Sequence, residues 1–341
     1  MTALLELRDK LKYFYSKNEV FILPVIKFFL AFVTLLEIND RMGYMSRVNN
    51  VAVVLIVALM CSFLPSGSII LFAALFTLLH MYALALEIAL VGIIVYLLMF
   101  LLFFRFSPKD SLVVVVTPLL CFLKVPHIMP VVMGLLGTPA SAVSVCCGIV
   151  VYYLLQGVAA NASTINTMNA GDVTAKLRLV IDALMNNKAM LVTVVAFAIT
   201  VVVVYLIRRM SVDYSWTIAM VAGVILNLVI LLVGDLIYET NISLVGAILG
   251  NFLALVVAKV IEFFRFCVDY SRTEKVQFED DEYYYYVKAV PKMTVAAPTK
   301  TVKRINAQRR PSGRYETSAG GRNMTVSRRQ EESQDDYEEL F

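Results

Sequence analysis

The sequence predicts an all-α polytopic membrane protein: about eight transmembrane helices, a re-entrant or proline-broken hairpin, and a largely disordered cytoplasmic C-terminal tail. Three observations predict it. Sixty per cent of the 341 residues are apolar and 16% are charged, with a mean hydropathy of +0.76, well outside the usual composition of a soluble domain. The apolar residues gather in runs near the roughly 20 residues that an α-helix needs to cross about 30 Å of hydrocarbon. Charge is also unevenly placed: residues 1–266 hold 17 Lys/Arg and 13 Asp/Glu, and the 75 residues from 267 onward hold the other 13 and 13. A lipid-soluble body with a polar tail excludes a secreted disulfide scaffold, a soluble enzyme and a compact nucleic-acid-binding domain.

Residues 1–20 (MTALLELRDKLKYFYSKNEV) read as a cytoplasmic amphipathic segment, since they mix both charge signs and the apolar run that follows has no small-residue cleavage site. Apolar runs then fall at about 21–38, 51–64, 69–86, 88–104, 112–136, 140–157, 189–207, 216–234 and 242–264. Cations in short connections mark the cytoplasmic side, and here they are Arg8, Lys10, Lys12 and Lys17, then Arg105 and Lys109, then Arg208 and Arg209, then Arg265. Nine full crossings would leave Arg208 and Arg209 outside, so one run must turn back.

That run is 112–136. It carries Pro118, Pro126, Pro130 and Gly134 around Lys124 and His127, and each internal proline removes a helix hydrogen bond. Two half-length helices, 112–123 and 128–136, joined at 124–127, would enter and leave by the cytoplasmic face. Both termini are then cytoplasmic and 158–188 is an external loop. Nine or ten spans form the alternative, because run 51–64 is itself short. Within the loop, Val173, Leu177, Val180, Ile181 and Leu184 have helical spacing, which predicts a surface helix over 173–185. The sequons at Asn161 and Asn241 also fall on the outer side.

Ionisable groups inside such a body are candidates for a solute or proton path. Four qualify: His80 and Glu87, seven residues apart, and Lys124 and His127 in the broken run. The plainer alternative places Glu87, Lys124 and His127 at headgroup level. Small residues at four-residue spacing predict a close hairpin of the last two helices: Gly223 and Asn227 on one, and Gly246, Gly250 and Asn251 with Ala254 and Ala258 on the other. Asn227 and Asn251 would bond across it.

Signatures of catalysis are missing. Val233-Gly234-Asp235 and Ala170-Gly171-Asp172 lack the first glycine of an intramembrane aspartyl motif, Ser66 has no histidine partner, and neither a P-loop nor a zinc motif occurs. The five cysteines have no CxxC spacing and read as buried free thiols. No catalytic, cofactor-binding or metal-ligating residue is expected, and the protein is not expected to be an enzyme.

In the tail, the acidic run at 279–282 leads into Tyr283, Tyr284, Tyr285 and Tyr286, whose surroundings support a short strand over 283–290. From Lys288 to Arg329 there are 11 Lys/Arg against the single Glu316, and Glu331 to Glu339 supply six acids. The basic stretch suits anionic lipid headgroups, each charge contributing about 1 kcal/mol near the surface. The tyrosine-rich segment suits a cytosolic protein partner, an ATPase or another.

The stretch EDDEYYYYVKAVPK at 279–292, after a body containing CFLKVPHIMPV and YLIRR, resembles a group of uncharacterised bacterial multispanning proteins sometimes labelled ABC transporter permeases. The resemblance extends over most of the chain and implies a bacterial plasma membrane. Two functions stand: a non-catalytic, permease-like transport component with a path through His80, Glu87, Lys124 and His127, or a membrane scaffold that recruits cytosolic partners through 279–341.

Overall fold

A computed structural model describes residues 2–168, 172–240, 243–265, 274–279 and 284–289. All of these belong to one compact unit, Met1–Ala296. The basic stretch, the acidic chain end, Tyr283 and Asn241 lie outside the described residues. Eleven helices and two strands are present among the described residues, so the all-α membrane body is borne out. Seven of the helices are long and apolar enough to cross a bilayer.

The first helix, α1 (Thr2–Met42), is interrupted at Asn18, whose φ/ψ of −114°/18° leaves the helical region. The amphipathic segment is thus a helix in its own right, and the apolar span begins as it ends. Helix α2 (Val51–Phe63) is capped by Asn50, whose side chain accepts from the Ala52 amide at 2.9 Å. Its 13 residues reach about 20 Å at 1.5 Å each, less than a full span. Even so, it runs back along α1 from end to end. Asn39 Nδ2 donates to the Val48 carbonyl (3.0 Å) before α2 begins, and Lys27 Nζ donates to the Leu64 carbonyl (3.1 Å) where it ends. Among the described residues there are thus seven helices of spanning length and, antiparallel to the first of them, the short apolar α2.

Helices α3 (Gly67–Leu84) and α4 (Leu86–Phe106) are joined by one extended residue, Ala85. The proline-rich run forms α5 (Ser111–Phe122) and α6 (Ile128–Leu136), within one residue of the predicted halves. Pro130 is tolerated because it sits in the first turn of α6, where a backbone N–H has no helical acceptor anyway.

The two arms start and finish at the same end of the molecule. Ser141 Oγ, just past α6, donates to Asp110 Oδ2, just before α5, at 2.5 Å. Ser111 Oγ donates to Ser66 Oγ at 3.0 Å, and Arg208 Nη2 donates to the Gly137 carbonyl at 2.7 Å. The broken run is therefore a hairpin that returns to the end from which it started.

Helix α7 (Ser141–Thr167) climbs past the hairpin. It packs Gly148 so tightly on α5 that a Cβ there would lie 2.5 Å from the Thr117 Cβ. One turn earlier on α7, Ser144 Oγ and Ser107 Oγ share a hydrogen bond of 2.6 Å. Because α7 runs to Thr167, residues 158–167 are helical rather than loop. Asn161 lies inside that helix and bonds back to the Gly157 carbonyl at 2.8 Å, so its sequon is not in a loop as the sequence suggested. Helix α8 (Val173–Met185) has the predicted bounds and packs Val180, Leu177 and Leu184 against Ile88 and the α3–α4 corner.

Three long helices complete the body: α9 (Lys188–Arg208), α10 (Ser215–Tyr238) and α11 (Leu244–Arg265). The arms of the hairpin divide between two groups. Arm α5 lies chiefly against α7, with α3 and α1 beside it, whereas α6 lies chiefly against α9 and α11, with α10 and α7 beside it. Val131 and Leu135 of α6 form a core with Val204, Ala219, Met220, Ala254 and Ala258. Strands β1 (Glu274–Glu279) and β2 (Tyr284–Ala289) pair antiparallel, with Phe278 opposite Tyr285 and Gln277 opposite Tyr286. The strand expected around the tyrosines is present.

Candidate functional site at the hairpin tip

The tip of the hairpin is made by the way α5 ends. The Val125 amide donates to the Leu120 carbonyl (2.9 Å) and the Lys124 amide to the Cys121 carbonyl (3.0 Å). That pair of bonds is the Schellman closure of a helix C-terminus, which needs a left-handed residue at the position Lys124 occupies. Lys124 has φ = 61°. Glycine ordinarily takes that place, because a Cβ in the left-handed region costs about 1–2 kcal/mol. Pro126 follows and prevents the helix from resuming.

At this depth, about 18 Å along α5 from Asp110 at 1.5 Å per residue, the tip separates two environments. Lys124 lines a cavity of about 240 Å³ with Arg41, Phe122, Tyr152, Leu155 and Gln156. Arg41 is held there from two sides. Its Nε donates to Glu37 Oε1 at 2.9 Å, and its guanidinium lies 4.8 Å above the Phe122 ring. Lys124 and Gln156 are exposed, and Lys124 has no ion-pair partner among the described residues.

His127, three residues on, points the other way and is buried. Its Nδ1 accepts from Asn227 Nδ2 at 3.2 Å, and the same nitrogen of Asn227 donates to Asn251 Oδ1 at 2.9 Å. Asn251 Nδ2 is committed to the Ala247 carbonyl, 2.9 Å away in its own helix. That commitment fixes both amide orientations and places the imidazole proton on Nε2. Asn227 Oδ1 is buried without a hydrogen-bond partner among the described residues. The His127 ring also stands edge-on to Phe197, with centroids 5.7 Å apart.

The four predicted path residues therefore do not share one cavity. Lys124 faces the Arg41 pocket and His127 the α9–α11 group. His80, fully buried, accepts from the Met45 amide at Nδ1 (3.1 Å) and meets Asn39 Oδ1 at Nε2 (2.8 Å), so it pins the connection between α1 and α2. The seven-residue spacing from His80 to Glu87 carries no meaning, because the helix breaks at Ala85. Glu87 sits in the first turn of α4, where a negative charge meets the positive end of the helix dipole.

The small-residue stripe has other neighbours than the sequence implied. Asn227 and Asn251 do bond between α10 and α11. Gly250, however, makes room for the hairpin: a Cβ there would meet His127 Cδ2 at 2.5 Å. Gly223 packs on Val204 of α9, and Gly246 on Ser243 of its own chain segment. Four-residue spacing announces a close approach without naming what approaches: α10 and α11 do pack on each other, but at Gly250 the neighbour is His127 of the hairpin tip. Arg41, Tyr152 and Gln156 were not singled out from the sequence, since only the fold brings α1 and α7 to the tip.

The left-handed Lys124 makes a direct prediction. Lys124→Gly should raise the midpoint of thermal unfolding in detergent, by up to about 1 kcal/mol of stability, because glycine removes the Cβ strain and keeps the backbone bonds. A lower midpoint would mean that the lysine side chain stabilises the tip by more than its conformation costs. Comparison with protein-family models, characterised proteins and solved structures finds no match to this chain.

Proposed function

We propose that the chain is a non-catalytic, permease-like transport component of a bacterial plasma membrane, with both termini in the cytoplasm. One observation carries the reading: a strained Lys124 at the tip of a re-entrant hairpin, in a position that suits glycine, lining a pocket with Arg41 and Gln156. Non-helical backbone at membrane depth is tolerated where protein buries it or water reaches it, and strain at a non-glycine residue concentrates at functional sites. The orientation draws on charge placement. Arg8 lies over Phe263 of α11, Arg208 over Trp216 and beside Gly137, and Arg105 precedes the hairpin. The predicted cytoplasmic cations thus gather at the end where the hairpin enters.

Cysteine accessibility tests both parts on a background free of native cysteines. A cysteine at Asn166 should be labelled by a membrane-impermeant reagent in intact cells, and one at Lys109 only after permeabilisation. Cysteines at Lys124 and Gln156 should react, whereas one at the buried Val114 should not, since only water contact sustains a reactive thiolate. Unreactive thiols at both tip positions from either side would overturn the transport reading. The alternative, a scaffold, draws support from the β1–β2 hairpin, because a two-stranded sheet is marginal by itself and a docked partner would complete it. Proteins that copurify with the whole chain and not with one truncated after Ser271 would favour that reading.

A further inference from the structure

The Arg41–Lys124 pocket has a charge pattern that selects its occupant. We propose that it binds the anionic group, a carboxylate or phosphate, of a ligand with an apolar body; the inference rests on the transport reading and names its substrate class. The pocket presents two cations, and no carboxylate lines it. Glu37 engages Arg41 only through Nε, leaving the terminal nitrogens of the guanidinium for a ligand. Stacking on Phe122 and pairing with Glu37 hold that group in place before binding, so little side-chain entropy remains to be lost. A planar guanidinium matches two oxygens of a carboxylate or phosphate, and an ammonium adds a second charge-assisted bond. Tyr152 and Gln156 add an O–H and an amide N–H₂ as neutral donors.

The remaining wall is apolar, made by Phe122, Leu155 and Ala159, so a fully hydrated inorganic ion would leave that wall unused. The cavity of about 240 Å³ is many times the room that a single water needs, a space suited to a headgroup and the first atoms of its body. A cation would meet two like charges there. A neutral solute would leave Lys124 uncompensated, since only Arg41 has Glu37 beside it.

The test measures charge preference at a thiol placed in the pocket. Gln156→Cys, on the full chain with the native cysteines replaced, is reconstituted in phosphatidylcholine nanodiscs. It is treated with sulfonatoethyl and with trimethylammonioethyl methanethiosulfonate, two reagents of similar size and opposite charge. Ala159→Cys substitutes if the first variant is not recovered folded. The anionic reagent should react at least tenfold faster than the cationic one, relative to a cysteine at exposed Asn166, and Lys124→Met should bring that ratio close to one. Equal rates in the unsubstituted pocket would overturn the anion inference and leave the transport reading standing. Failure of both reagents to react would show a dry pocket and overturn both.

Protection then identifies the source of the anionic group. Slowing by millimolar inorganic phosphate in phosphatidylcholine discs supports a soluble anion, whereas slowing only when phosphatidylglycerol is included supports a lipid headgroup. Slowing by neither, despite a charge preference, would overturn a binding site at this position.

Discussion

Gly250→Leu is expected to detach the hairpin tip from the α9–α11 group. The Cβ alone would lie 2.5 Å from His127 Cδ2, so the ring must leave, losing its bond to Asn227 and its edge contact with Phe197. Overpacking costs about 1–3 kcal/mol. The Asn227 N–H that loses His127 adds part of a buried hydrogen bond, about 1 kcal/mol more. A loss of about 3 kcal/mol, read as thermal stability in detergent, is the expected result, while Val256→Leu on the exposed face of α11 stays within about 0.5 kcal/mol. The cause is separable from a generic clash between α10 and α11. In a His127→Ala background the leucine finds space, so the two substitutions together should cost clearly less than their sum. Additive costs would assign Gly250 to a different neighbour.

Asn227→Leu is the second large effect. One amide nitrogen serves both His127 Nδ1 and Asn251 Oδ1, and leucine leaves both acceptors buried without a donor, at about 1–3 kcal/mol each. Two facts reduce the sum. Asn227 Oδ1 is itself unpartnered, so its removal returns a desolvation penalty, and interhelical bonds in membranes average only about 0.6 kcal/mol by double-mutant cycles. The net expectation is a destabilisation of about 2 kcal/mol. Asn227→Leu combined with His127→Phe should recover part of it, since that pair removes one of the stranded acceptors. A neutral Asn227→Leu would mean that the three side chains do not hold the tip.

Much of this arrangement was legible in the sequence because it follows from solvation and backbone chemistry. Three prolines within a run too charged for its middle announced the hairpin, and cation placement announced that one run must turn back. The helical spacing of Val173 to Leu184 gave α8 its bounds. What remained hidden was partnership. His80 looked like an unexplained charge in an apolar run until Asn39 and the Met45 amide, some 40 residues away in the chain, appeared beside it. Glycines reported close contact without identifying the visitor. Lys124 gave no local sign of its left-handed backbone, because the Schellman closure usually declares itself by the glycine that is absent here.

The division of the hairpin between two helical groups also sets an order of assembly. A ribosome delivers Ile128–Leu136 long before Lys188–Arg265, the segment that supplies α9, α10 and α11, and chains fold from the N-terminus as they emerge. Until then, His127 and the α6 face that meets Val204, Ala254 and Ala258 have no protein to cover them. Nascent chains that end after α8 must hold a nine-residue helix with a polar tip in place without its receptor. Docking of the tip is thus a late step in biogenesis, one that completes only when the last helix is released into the bilayer.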